Sequence, residues 1–164
     1  MPDHDASSPP DAREPGRRRL GSVLVGLQFG LIAVVAWLAL PAFLQGTVPL
    51  GAWLLALAAL ALGLWALMAN PPGNFNIRPT PRRGGRLVQE GPYRWIRHPM
   101  YTCVVGCAVA GAWTAGSLPG WLATAALLAV LVVKARLEER WMAALHPGYP
   151  AYRAATWRFV PGLF

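Results

Sequence analysis

Residues 20–44 read LGSVLVGLQFGLIAVVAWLALPAFL, a run without a single charged side chain. Roughly twenty apolar residues cross the hydrocarbon core of a bilayer, so this run is a transmembrane helix. Gln28 is its only strongly polar side chain, Gly26 and Gly30 stand at a spacing that permits close helix contact, and Pro41 is expected to kink or end it. Residues 50–69, LGAWLLALAALALGLWALMA, repeat the pattern after a short uncharged turn at Gln45 to Pro49. Two further apolar segments follow, Met100 to Leu118 and Trp121 to about Leu137, separated by a turn at Pro119-Gly120. The expected architecture is all-α, a polytopic membrane protein with about four transmembrane helices.

Composition agrees. Apolar residues make up 55% of the 164, charged residues only 13%. Four of the seven acids lie in the first fourteen residues, leaving Glu90, Glu138 and Glu139 against fourteen basic side chains in the body. Such a balance raises nucleic acid as a partner, but the arginines flank apolar runs, where anionic lipid headgroups and membrane orientation account for them. No nucleic-acid partner is expected, and membrane lipids are. Met1 to Gly16 is rich in Pro, Asp and Ser and reads, with Arg17 to Arg19, as a disordered tail ahead of one domain, 20–164. The first apolar run is read as a retained helix, since no small-x-small cleavage site follows it. The basic segments fall on one side of the membrane and the uncharged turns on the other, which places both termini and the long loop from Asn70 to Pro99 in the cytoplasm. The expected location is a bacterial inner membrane.

Two cysteines, Cys103 and Cys107, are too few for a closed zinc site and read as small packing residues, so no metal is expected. Lys134 and Arg136, at the end of the last span, are expected to snorkel to the headgroups. Trp37, Trp53, Trp65, Trp113 and Trp121 fit an aromatic belt, and Tyr149, Tyr152, Trp157 and Phe159, interleaved with Arg153 and Arg158, suit a segment lying on the cytoplasmic surface.

The densest group of functional side chains is Gly91-Pro92-Tyr93-Arg94-Trp95-Ile96-Arg97-His98-Pro99-Met100-Tyr101, where the polar loop enters the third apolar segment. His98 switches charge near neutral pH and is a candidate acid, base or hydrogen-bond donor; equally, it caps the third helix, with Pro99 in the first turn. Glu138 and Glu139 point in different directions on a helix. As juxtamembrane acids they are functional candidates, with simple pairing to Arg136 or Arg140 as the alternative. The two groups are expected to meet on one membrane face and form one site.

RHPxY at Arg97-His98-Pro99-Met100-Tyr101, preceded by Gly91-Pro92-Tyr93-Arg94 and followed by Glu138-Glu139, Tyr149-Pro150-Ala151-Tyr152 and Arg158 to Pro161, resembles the isoprenylcysteine carboxyl methyltransferase and phospholipid methyltransferase superfamily. The likeness runs from about Asn70 to Phe164. It implies an integral membrane enzyme that uses S-adenosylmethionine, with a cytoplasmic pocket formed by the loop before the third helix and the carboxyl-terminal segment. Arg97, His98 and Glu139 would be catalytic; Tyr93, His98, Pro99, Tyr101, Glu138, Glu139 and Tyr152 would hold the cofactor; Tyr149, Tyr152 and Arg158 would form a cap. The methyl acceptor would be a lipophilic or small molecule: a carboxylate, an amine or a thiol. The chain departs from the family where Cys103 replaces a frequent glycine, which would let the cofactor approach the backbone, and at His146-Pro147-Gly148, usually Phe-Gly. The sequence names neither the acceptor nor the oligomeric state. An NADPH-dependent membrane reductase related to sterol reductases and a non-enzymatic membrane module are the other readings.

Overall fold

The computed structural model describes residues 15–70 and 86–163. Most of the expected disordered tail, the Pro71-Pro72-Gly73-Asn74 helix stop and loop arginines Arg78, Arg82 and Arg83 lie outside the described residues. The described residues form five α-helices in order, α1 Pro15–Leu44, α2 Leu50–Ala69, α3 Pro99–Ala115, α4 Leu118–Leu145 and α5 Tyr149–Ala155, with one 3-10 turn at Gly91–Arg94. Among the described residues there is no strand, only one isolated bridge between Ile96 and Trp157. The protein is all-α, as its uninterrupted apolar runs require.

Three helices, α1, α2 and α4, are long and apolar enough to cross a membrane, and α3 is apolar but shorter. The 17 residues of α3 rise about 26 Å, near the lower limit for a span. Helix α3 is the centre of the bundle and packs on α1, α2 and α4. It comes close because its small residues leave room: a Cβ on Gly106 would stand 2.8 Å from the Ala59 Cβ of α2, and one on Gly111 would stand 2.7 Å from Val35 of α1. Leu127 and Leu131 of α4 are fully buried beside Ala108 of α3 and Phe159. Outward faces are apolar: Trp37 is 73% exposed, and Trp53, Trp65, Trp113 and Trp121 are exposed as well, as side chains in contact with lipid and headgroups would be.

Several boundaries differ from the sequence reading. Helix α1 begins at Pro15, so residues 15–19 are helical rather than tail; proline is suited to the first helical position because its missing N–H has no partner there. The other end of α1 is where the sequence reading placed it, at Leu44, with Pro41 inside the last turn of the helix. The turn between α3 and α4 is Gly116-Ser117, not Pro119-Gly120. Gly116 takes a φ of +56°, and Ser117 caps α4 by accepting from the Gly120 N–H, which leaves Pro119 in the first helical turn. At its other end α4 continues eight residues past Leu137, carrying the two glutamates on rigid helix. Among the described residues Gly26 and Gly30 make no close helix contact: both are exposed, and nothing lies within 4 Å of a Cβ on either.

Candidate functional site

The site is assembled where the loop before α3 meets the segment after α5. The backbone N–H groups of Arg97 and His98 donate to the carbonyls of Trp157 (2.8 Å) and Arg158 (3.1 Å), and Trp157 N–H returns a bond to the Trp95 carbonyl (2.9 Å). These bonds satisfy backbone groups that would otherwise be buried alone and fix two arginines and a histidine next to one another. The 3-10 turn seats itself on the end of α2: Gly91, at φ +56°, has room only for hydrogen, because a Cβ would meet Ala69 at 2.7 Å and Trp65 at 3.2 Å.

Glu139 of α4 is the hub. It is 3% exposed. Arg158 grips it with two bonds, Nε to Oε1 and Nη2 to Oε2, both 3.0 Å; Arg97 Nε donates to Oε1 at 3.0 Å; His98 Nε2 lies 3.3 Å from the same oxygen. Such charge-assisted bidentate pairs are the strong ones. Arg97 also donates to the Arg153 carbonyl (3.0 Å), to the Thr156 carbonyl and to Thr156 Oγ1, which ties α5 to the loop. Glu138, on the neighbouring direction of α4, accepts from the Tyr101 hydroxyl and lies 3.4 Å from His98 Nδ1, with 22% of its side chain exposed. The imidazole of His98 therefore stands between two carboxylates, one at each ring nitrogen. It stacks on Tyr101 (5.4 Å between centroids, 7° between planes) and meets the edge of Phe159.

His98 does occupy the N-cap position of α3, with Pro99 buried in the first turn, but its side chain makes no capping bond; it is committed to the glutamates. Nor do the glutamates pair locally: Glu139 pairs with Arg97 and Arg158 and Glu138 with Tyr101 and His98, not with Arg136 or Arg140, because the buried side of α4 faces the loop and the carboxyl terminus. Burial alone would lower the pKa of His98; hydrogen bonds and charge from Glu138 and Glu139 outweigh it and raise the value above 6.5. Burial, aided by the charge of Glu138, pushes the Tyr93 phenol up to about 12. Tyr149 and Tyr152 are likewise raised, chiefly by burial. All three phenols stay protonated near neutral pH, and that of Tyr152 donates to the Tyr93 carbonyl at 2.8 Å.

The structure thus gathers Arg97, His98, Tyr101, Glu138 and Glu139 directly, with Tyr93 and Tyr152 joined to the rim and Pro99 beneath. Two expectations are corrected. The carboxyl-terminal aromatics do not lie on the surface: Tyr149, Tyr152 and Phe159 are buried in the protein, and Trp157 alone of the four is exposed. Lys134 does not snorkel. It is 1% exposed and donates to Gln28 of α1 at 2.5 Å, with its ammonium 5.2 Å from the centre of the Tyr101 ring. Arg158, expected only in the cap, is the strongest partner of Glu139; its nineteen-residue separation gave no local signal. Cys103 is buried against α2, where its Sγ would stand 2.6 Å from a Cβ on Gly63. The substitution for the frequent glycine therefore fills a notch in the α2–α3 contact.

A family model described as phospholipid methyltransferase matches residues 46–147, more than half of the chain. The chain belongs to the phospholipid methyltransferase family, within the isoprenylcysteine and phospholipid methyltransferase superfamily. The matched range contains α2, α3, α4, RHPxY and both glutamates, and leaves out α1 and the segment carrying Arg158. A curated relative, the cobalt-zinc-cadmium resistance protein CzcN of Cupriavidus metallidurans, is 36% identical over 88 residues, which is 50% of this chain and 38% of the relative. The match therefore spans well under half of that protein's length. Among the described residues no group of three or more His, Cys, Asp or Glu side chains is arranged to hold a metal ion.

Proposed function

We propose that this member of the family transfers a methyl group from S-adenosylmethionine to a lipophilic acceptor that enters from the bilayer, at the cluster around His98. The observation that carries the reading is the placement of one imidazole between two carboxylates at the end of an apolar bundle. The alternative contents of such a cluster, a set of locally paired surface charges, would not bring together side chains from three distant segments.

The residues fit the cofactor. S-adenosylmethionine carries an ammonium, a carboxylate and a sulfonium. Glu138 is a partly exposed carboxylate suited to the ammonium; Arg153, 58% exposed and 4.0 Å from Glu139, is suited to the carboxylate; Tyr93 offers an aromatic face of the kind that holds organic cations. When bound, the cofactor supplies an electrophilic methyl on sulfur whose departure leaves a neutral thioether. The protein's part is alignment and exclusion of water. Arg97 and Arg158 hold Glu139, Glu139 and Glu138 hold His98, and His98 with Tyr101 forms the wall nearest the reacting groups. An ionised carboxylate acceptor needs no base. For an amine acceptor, His98 in its neutral form accepts the proton at the nitrogen facing Glu138, the more open of its two sides. The cytoplasm is the side that supplies the cofactor, so both termini face it.

The test is transfer of labelled methyl from S-adenosylmethionine into an organic-phase product by the full chain in lipid vesicles. The reading expects organic-soluble label that depends on Glu138. Release of the label as methanol by alkali marks a carboxyl ester, and alkali-stable label marks an amine. A folded protein that transfers no label to any bilayer lipid or prenyl carboxylate would overturn the proposed activity.

A further inference from the structure

We propose that Gln28 and Lys134 are positioning residues of this site: Lys134, held by Gln28, fixes the Tyr101 ring and through it the Glu138 carboxylate, so that α1 is part of the site and not only a membrane helix. This rests on the function proposed above and adds to it a dependence on α1, which lies wholly outside the residues matched by the family.

A lysine inside a membrane helix is costly to insert, and an apolar residue at the same place would carry no such cost. Lys134 is nevertheless fully buried, one helical turn before Glu138 and facing inward. Its long stem could carry the charge to the surface, yet its Nζ donates to Gln28 Oε1 at 2.5 Å. Gln28 is itself buried, and is the one strongly polar side chain in the apolar run of α1. From there the ammonium stands over the Tyr101 ring at 5.2 Å. Tyr101 in turn stacks on His98 and donates its hydroxyl to Glu138, and the charge of Glu138 acts on Lys134 as well. Gln28, Lys134, Tyr101, Glu138 and His98 thus form one continuous polar path from the middle of the bundle to the site. A polar pair serving only to join α1 to α4 would need none of the last three contacts.

A structural pair and a positioning pair differ in how substitutions combine. The experiment measures S-adenosylmethionine affinity of the full chain in detergent for wild type, Lys134→Met, Tyr101→Phe, the combination of those two, and Gln28→Leu/Lys134→Met, each with its Tm. Removing Gln28 and Lys134 together takes away both ends of their hydrogen bond, so that variant melts closer to wild type than Lys134→Met alone. If Lys134 acts through Tyr101, Lys134→Met and Tyr101→Phe each weaken binding by about tenfold, and their combination also by about tenfold, because coupled residues are not additive. Gln28→Leu/Lys134→Met shows the same loss while still folded. A combined loss near a hundredfold, or wild-type affinity in the folded Gln28→Leu/Lys134→Met variant, overturns the positioning role and leaves the methyltransferase reading standing. A folded wild type that binds no S-adenosylmethionine overturns both.

Discussion

Replacing Glu139 with Gln keeps the volume of the hub and removes its charge. In the native protein two oxygens accept three guanidinium bonds at 3.0 Å and face His98 at 3.3 Å. An amide has one acceptor oxygen, and its NH2 group would point a donor at one of the arginines. Arg97 and Arg158 would remain largely buried, with 8% and 12% of their side chains exposed, and without their counter-charge. Breaking a buried ion pair from one side costs about 3–5 kcal/mol, which for a chain of this length lowers Tm by roughly 6–20 °C. The assay is thermal unfolding in detergent followed by tryptophan fluorescence. Glu138→Gln serves as the control, since Glu138 is more exposed and its close partners are Tyr101 and His98, with no arginine gripping it among the described residues; its loss of stability is expected to be about 1–2 kcal/mol. A Glu139→Gln protein melting within about 2 °C of wild type, a fraction of the expected fall, would refute the claim that this carboxylate holds the carboxyl-terminal segment to the loop.

The raised pKa of His98 sets a pH dependence. Because the folded value lies above the ordinary 6.5, the stability it contributes is complete below about 6.5 and is lost as pH rises through the folded value; Tm is therefore expected to fall as pH rises from about 6.5, and His98→Gln to remove that slope, whereas an unchanged slope in the variant would assign it to another group. In the α2–α3 contact, Gly63→Ala places a methyl 2.6 Å from Cys103 Sγ and is expected to cost about 1–3 kcal/mol by overpacking. Cys103→Ala in the same chain should restore much of the loss while leaving cofactor affinity within about twofold, under half a kcal/mol, and a large loss of affinity would return Cys103 to the site.

The helices were legible because their signal is local. Charge-free runs of spanning length mark α1 and α2, and the charge distribution marks the two ends. RHPxY and Glu138-Glu139 were legible as candidates because such side chains are rare in so apolar a chain. Partner choice was not legible. Glu139 has Arg140 beside it and Arg136 within a turn, yet pairs with Arg97 and Arg158, because those arrive on backbone that bonds to itself across some sixty residues, Arg97 to Trp157. Lys134 was misread for a related reason. A lysine near the end of a membrane helix normally reaches outward, and here a partner 106 residues earlier, Gln28, meets it inside the bundle. Helix ends were misplaced where capping chemistry decides them, as at Ser117, whose side chain makes Pro119 a helical residue instead of a turn residue.

The most direct test of the whole account is equilibrium binding of S-adenosylmethionine to the purified full chain in detergent, beside Glu138→Gln and His98→Ala. Saturable binding is expected for wild type, lost or much weakened in both variants while their folds persist. A folded wild type that does not bind, or variants that bind as well as wild type, would contradict a cofactor site between RHPxY and the two glutamates.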